Sequence, residues 1–129
     1  MIVKTLQEIL NTPDDVDTAT WNSRRLLLKK DGMGFSLSDT IIKEGTETTI
    51  WYKHHVEAVY CIAGQGEIEL ADSGKVFPIR EGTFYALNGH EKHYLRATGS
   101  DMRMVCVFNP PLTGREVHDE EGAYPPAGD

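Results

Sequence analysis

The chain has 129 residues, of which 40% are apolar and 26% charged, the proportions of a folded globular protein and the length of one domain. Thirteen basic against twenty acidic side chains leave a net charge of −7, and the lysines and arginines are scattered, which argues against nucleic acid as a partner. No apolar run approaches the ~20 residues of a bilayer span, and the Met1-Ile2-Val3-Lys4 start lacks the pattern of a secretory signal, so no membrane partner is expected and the cytoplasm is the expected location.

Thr5-Leu6-Gln7-Glu8 reads as a capping box, and Leu6, Ile9 and Leu10 follow at helical spacing before Pro13, which predicts one short N-terminal helix. From Trp21 onward the pattern changes. Segments rich in Val, Ile, Tyr, Phe and Leu alternate with Gly, Asp, Asn and Ser at intervals of about ten residues, the signature of an all-β sandwich or barrel. The predicted strands are 24–29, 36–42, 48–52, 58–62, 66–70, 76–79, 83–87, 93–97 and 102–108. Connections such as Lys30-Asp31-Gly32-Met33-Gly34 and Ala71-Asp72-Ser73-Gly74-Lys75 favour tight hairpins and hence antiparallel pairing. Cys61 and Cys106 fall inside strands without the spacing of a zinc or redox pair, so both are expected to be buried free thiols in a reducing compartment. Residues 116–129 mix acidic residues with Gly, Pro and Ala and read as a polar tail unable to bury a core, leaving a single domain over 1–115.

The chemistry-bearing residues lie in the middle of the chain. Gly45, Glu57 and Gly64 fall on the glycine, carboxylate and glycine of G-x5-H-x-H-x3-E-x6-G, the first motif of the cupins, which are small jelly-roll-like β-barrels. Trp51 and Lys53 stand where that motif has histidines. Gly82 and His93 match the second motif, G-x5-P-x-G-x2-H, while Asn88 and His90 replace its proline and glycine. In the barrels that this pattern resembles, the motif glutamate and histidine point inward to a metal. Two surviving ligands hold a cation weakly, so a further donor near His93 is expected. Tyr85 is the best candidate: strand alternation groups it with Thr83 and Leu87, opposite Phe84 and Ala86. A bound cation favours the phenolate. Glu57, Tyr85 and His93 would then form an oxygen, oxygen, nitrogen set suited to iron(II), with zinc or manganese as possible substitutes.

The departures from the cupin motifs identify a narrower group. The segments Thr20-Trp21-Asn22-Ser23-Arg24-Arg25-Leu26, Trp51-Tyr52-Lys53-His54-His55-Val56-Glu57, Tyr85-Ala86-Leu87-Asn88, His90-Glu91-Lys92-His93 and Cys106-Val107-Phe108-Asn109-Pro110-Pro111-Leu112-Thr113-Gly114 resemble the ectoine synthase family over almost the whole chain. The resemblance implies an iron-dependent hydro-lyase that cyclises N4-acetyl-L-2,4-diaminobutyrate to ectoine, and a cytoplasmic homodimer in a bacterium under osmotic stress. It also implies Tyr52, His55 and Glu116 as acid–base groups. Trp21, Ser23, Arg24, Ser38, Thr40, Tyr52, Cys106, Phe108, Glu116 and His118 are implied as substrate contacts. The alternative is a non-catalytic cupin that binds a small molecule as a sensor or scaffold.

Overall fold

The structure is a computed structural model, and it describes residues 1–114, 116–119 and 122–125. Helix α1 spans Leu6–Ile9, with Thr5 as its N-cap accepting from the Glu8 amide. The helix is a single turn that ends well before Pro13, because only Ile9 is buried and one anchor holds little more than one turn.

Ten strands follow among the described residues: β1 Asp15–Asp17, β2 Trp21–Leu27, β3 Ser36–Ile42, β4 Glu47–Ile50, β5 Val56–Ala63, β6 Gln65–Leu70, β7 Val76–Arg80, β8 Phe84–Leu87, β9 His93–Ala97 and β10 Met102–Asn109. The nine expected strands are all present. The additional one, β1, is an Asp-Val-Asp segment without strand-like composition, held by pairing with Asn22–Arg24 of β2. β2 also begins three residues earlier than expected, at Trp21.

The strands form a six-stranded sheet in the order β1-β2-β3-β10-β5-β8 and a four-stranded sheet in the order β4-β9-β6-β7, with every strand pair antiparallel. The inner faces follow strict alternation: Val59 and Cys61 on β5, His93, Leu95 and Ala97 on β9, and Met102, Met104, Cys106 and Phe108 on β10 are all buried. Where β5 turns into β6, Gly64 has φ +84°, and a Cβ there would stand 1.9 Å from the Asp101 carbonyl oxygen, so only glycine lets the two chain segments meet. Cys61 and Cys106 are free and buried, as expected. Among the described residues no helix is long and apolar enough to cross a membrane.

The expectation for the C-terminal residues is corrected by the structure. Ala123 and Tyr124 are buried, and Tyr124 joins the same core cluster as Trp21, Tyr52 and Phe108. Composition misled because one aromatic among polar residues suffices when the barrel leaves an apolar opening for it. Residues 115, 120, 121 and 126–129 of that expected tail lie outside the described residues.

Candidate active site

The two sheets enclose a narrow cavity. Its floor comes from neighbouring strands of the larger sheet. Ser23 on β2 pairs with Thr40 on β3, and Ser38 on β3 pairs with Cys106 on β10. All four side chains face inward and line the cavity, with the Ser38 and Thr40 hydroxyls 3.1 Å apart. Trp21, Phe108, Ile42 and Ile50 supply the apolar walls.

Glu57 on β5 and Tyr85 on β8 also line the cavity. Burial lifts the Glu57 carboxyl to about 8, only partly opposed by the adjoining Cys106 thiol. Burial likewise drives the Tyr85 phenol well above its ordinary range, and the nearby Glu57, Cys106 and Cys61 add to the effect. Both groups are therefore held neutral at physiological pH unless a cation stands beside them.

His93 enters from the opposite sheet, where it pairs with Ile50 and Leu70. Its Nδ1 lies 3.0 Å from the Glu91 carbonyl oxygen, which can only accept, so Nδ1 carries the proton and Nε2 the lone pair. The ring is fully buried, and Nε2 has no hydrogen-bond partner. Burial also lowers the His93 pKa, keeping the ring neutral. A bare lone pair whose other nitrogen donates to a backbone carbonyl is the arrangement of a metal-ligating histidine. The described residues contain no group of three His, Cys, Asp or Glu that could hold a metal. Three phenols, Tyr52, Tyr85 and Tyr124, line the cavity with Glu57, and Tyr85 is the one whose strand, β8, is paired directly with the Glu57 strand, β5.

Tyr52 and His118 form the polar pair of the cavity roof. The Tyr52 hydroxyl is 2.8 Å from His118 Nε2. Burial pushes the Tyr52 phenol well above its usual range, so it donates. Burial pulls His118 down to about 4, helped by His93 and Arg25, so its ring is neutral and accepts. The Tyr52 ring also meets His93 edge-on with ring centres 6.5 Å apart, which places the roof pair next to the bare imidazole.

Three expected site residues lie elsewhere. Arg24 does not face the cavity: its guanidinium donates to the Asp39 carbonyl at 2.8 Å and to the Asp39 carboxylate at 2.6 Å, on the outer side of the sheet with Arg103. Burial disfavours the Asp39 charge, but the two arginines outweigh it and hold the carboxyl below its ordinary range. The inward arginine is Arg25, two residues beyond Ser23, which is 1% exposed and bonds Ser23 Oγ, the Gly114 carbonyl and the Glu116 carbonyl.

Glu116 is not a cavity group either. Its carboxylate accepts from the Thr113 amide and hydroxyl and from the Gly114 amide, at 2.6, 2.8 and 2.7 Å. These bonds outweigh its burial and hold it ionised, which suits a loop clamp and not a proton donor. His55 is buried behind the cavity wall, with its ring 6.1 Å from those of Phe108 and Tyr124, and neither nitrogen has a hydrogen-bond partner. The remaining expected contacts, Trp21, Ser23, Ser38, Thr40, Tyr52, Cys106, Phe108 and His118, all line the cavity. Tyr124, not foreseen from the sequence, lines it too.

A two-sheet antiparallel barrel enclosing a buried carboxyl, a bare imidazole and a hydroxyl-lined cavity defines a cupin that acts on a small molecule. The polyketide cyclase RemF from Streptomyces resistomycificus shares the fold with a TM-score of 0.70 at 19% identity, over 95% of this chain and 89% of that one. The chain belongs to the ectoine synthase family, whose model matches residues 1–128, and it is accordingly a hydro-lyase. It is 67% identical over 127 residues to the L-ectoine synthase of Desulfatibacillum aliphaticivorans, covering 97% of each chain. It is 60% identical to that of Halalkalibacterium halodurans, over 97% of this chain and 96% of the other. The crystal structure of ectoine synthase from P. lautus superposes with a TM-score of 0.88 at 74% identity, covering 95% of this chain and 87% of that one.

Proposed function

We propose that this chain closes N4-acetyl-L-2,4-diaminobutyrate into the cyclic amidine ectoine with loss of water, and that Glu57, Tyr85 and His93 hold an iron(II) ion for that purpose. The observation that carries the ion is His93 Nε2, a buried lone pair with no partner, in a fold whose adjoining cavity contains a carboxyl that burial alone would keep protonated. When bound, the ion would polarise the acetamide carbonyl, an effect worth several kcal/mol.

The protein residues do the rest by holding and desolvating a flexible molecule. The α-amine must reach the acetamide carbon, a bond forms between them, and the carbonyl oxygen departs with two N–H protons as water. Enforcing that fold in the substrate can remove about 7–11 kcal/mol of barrier. The hydroxyls of Ser23, Ser38 and Thr40 line the cavity and offer donors for the substrate carboxylate. Trp21 and Phe108 exclude water from the reacting atoms. The Tyr52 hydroxyl, donating to His118 Nε2 at 2.8 Å, is placed to exchange a proton with the reacting nitrogen or the departing oxygen.

The test is direct. Metal-free protein loaded with iron(II) and given the acetylated diamine should form ectoine, seen by proton NMR as the ring methyl signal, and chelation should stop it. Folded, iron-loaded protein that leaves the substrate unchanged overturns the reading.

A further inference from the structure

Tyr124 follows a stretch of acidic residues and glycine, yet it sits at the centre of the cavity roof. Its ring stacks on Tyr52 with centres 5.1 Å apart and planes 11° from parallel, and the two hydroxyls interact. It meets Phe108 edge-on at 5.4 Å and packs against His118 at 4.7 Å. The backbone carrying it is fixed independently of the ring. Gly122 accepts from the Trp51 amide at 2.9 Å with φ +79°, and a Cβ there would stand 2.1 Å from the Thr49 carbonyl oxygen. Asp119 closes a tight turn by bonding the amides of Gly122 and Ala123. Further back, Arg25 holds the Gly114 and Glu116 carbonyls and places its guanidinium 5.8 Å from the Tyr124 ring centre.

Tyr52 itself lies in the connection between β4 and β5, so no sheet ladder sets the direction of its phenol. Packing must do so: among the described residues Tyr124 is the ring that lies parallel to it, with Phe108, His93 and His118 meeting it edge-on. Stacked and edge-on pairs both hold a ring in a preferred geometry, and the stacked face against Tyr52 comes from Tyr124.

We infer that Tyr124 is a positioning residue for the ring closure: its stacked ring aims the Tyr52 hydroxyl at His118 Nε2 and so completes the polar pair at the cavity roof. This rests on the function proposed above. The experiment compares iron-loaded wild-type enzyme with Tyr124→Ala, Tyr124→Phe, Tyr52→Phe and the Tyr124→Ala/Tyr52→Phe double variant in the ectoine-forming assay.

Tyr124→Ala should lower kcat about 30- to 100-fold, the scale of an ångström-size misplacement of a reacting group, while KM moves less than about threefold. Tyr124→Phe, which keeps the stack, should recover most of that loss. In the Tyr52→Phe background, Tyr124→Ala should cost no more than about twofold, because the group it aims is already gone. Tyr124→Leu, which fills the buried position without offering a stacking face, should lose kcat as Tyr124→Ala does and carries the same test should Tyr124→Ala fail to fold.

An undiminished Tyr124→Ala enzyme, a loss confined to KM, a Tyr124→Phe enzyme as impaired as Tyr124→Ala, or losses that simply multiply in the double variant would each overturn the inference while leaving the proposed function standing. Wild-type enzyme that makes no ectoine sinks the function and the inference with it.

Discussion

Tyr85 pairs across β5 and β8 with Val59, two positions along from Glu57, so the phenol and the carboxyl project from the same face of adjacent strands. Among the described residues neither has a Lys or Arg beside it in the cavity lining, and His93 supplies a bare nitrogen from the facing sheet.

From this arrangement, Tyr85→Phe should weaken iron binding more than about tenfold although it removes one oxygen and no packing volume. Glu57→Ala and His93→Ala should do the same or more, with activity falling in step. Metal content after dialysis is the measurement, and a Tyr85→Phe protein that retains its full complement of iron counts against the phenol as a ligand.

The buried carboxyl also sets a pH dependence for the metal-free protein. Glu57 rises from an ordinary 4.5 to about 8 on folding. Between those values the folded chain keeps a proton that the unfolded chain has released, so stability falls as pH rises. His118 drops from 6.5 to about 4 and acts oppositely, adding stability as pH rises through that lower range. His55 and His93 are lowered as well and add stability in the same sense as His118, so the Glu57 contribution is read as a difference between two proteins. Relative to Glu57→Gln, metal-free wild-type protein should lose ~2 kcal/mol between pH 6.5 and 8. Denaturant titrations of the two proteins over that interval are the measurement, and equal slopes would refute the assignment.

The neighbouring arginines should separate cleanly. Arg25→Ala leaves Glu116 beside an empty buried position and frees two backbone carbonyls, which should cost about 3–5 kcal/mol of stability. Arg24→Ala leaves Asp39 still bonded to Arg103 and should cost about 1–2 kcal/mol with no change in KM. A large rise in KM for Arg24→Ala would return that residue to the substrate site.

Removing either hydroxyl from the cavity floor, in Ser38→Ala or Thr40→Ala, should raise KM about tenfold by taking one donor from the substrate carboxylate. Unchanged KM in both would move the carboxylate to another part of the cavity.

Much of this architecture was legible from composition alone. The β3 and β9 boundaries agree with those expected, because β-branched and aromatic runs bounded by glycine and polar turns are local signals. β1 was illegible because Asp15-Val16-Asp17 becomes a strand only through its partner on β2. The same division runs through the site. The face shared by Glu57 and Val59, or by Tyr85 and Leu87, follows from period-two alternation. That rule, applied to Trp21 and Ser23, also selects Arg25 over Arg24, so the inward arginine was readable and was missed. Tyr124 was not readable: its burial depends on contacts with Trp21, Tyr52 and Phe108, all distant along the chain.

The two tryptophans of the chain occupy contrasting surroundings. Trp21 lines the cavity against His118, with ring centres 5.2 Å apart, while half-buried Trp51 carries the Lys53 and Lys92 ammonium groups over its ring. The protein thus carries a built-in optical reporter. Cavity filling should alter the short-wavelength emission of Trp21 against the steadier, red-shifted light of Trp51, so that a Trp51→Phe variant would report occupancy from a single fluorophore.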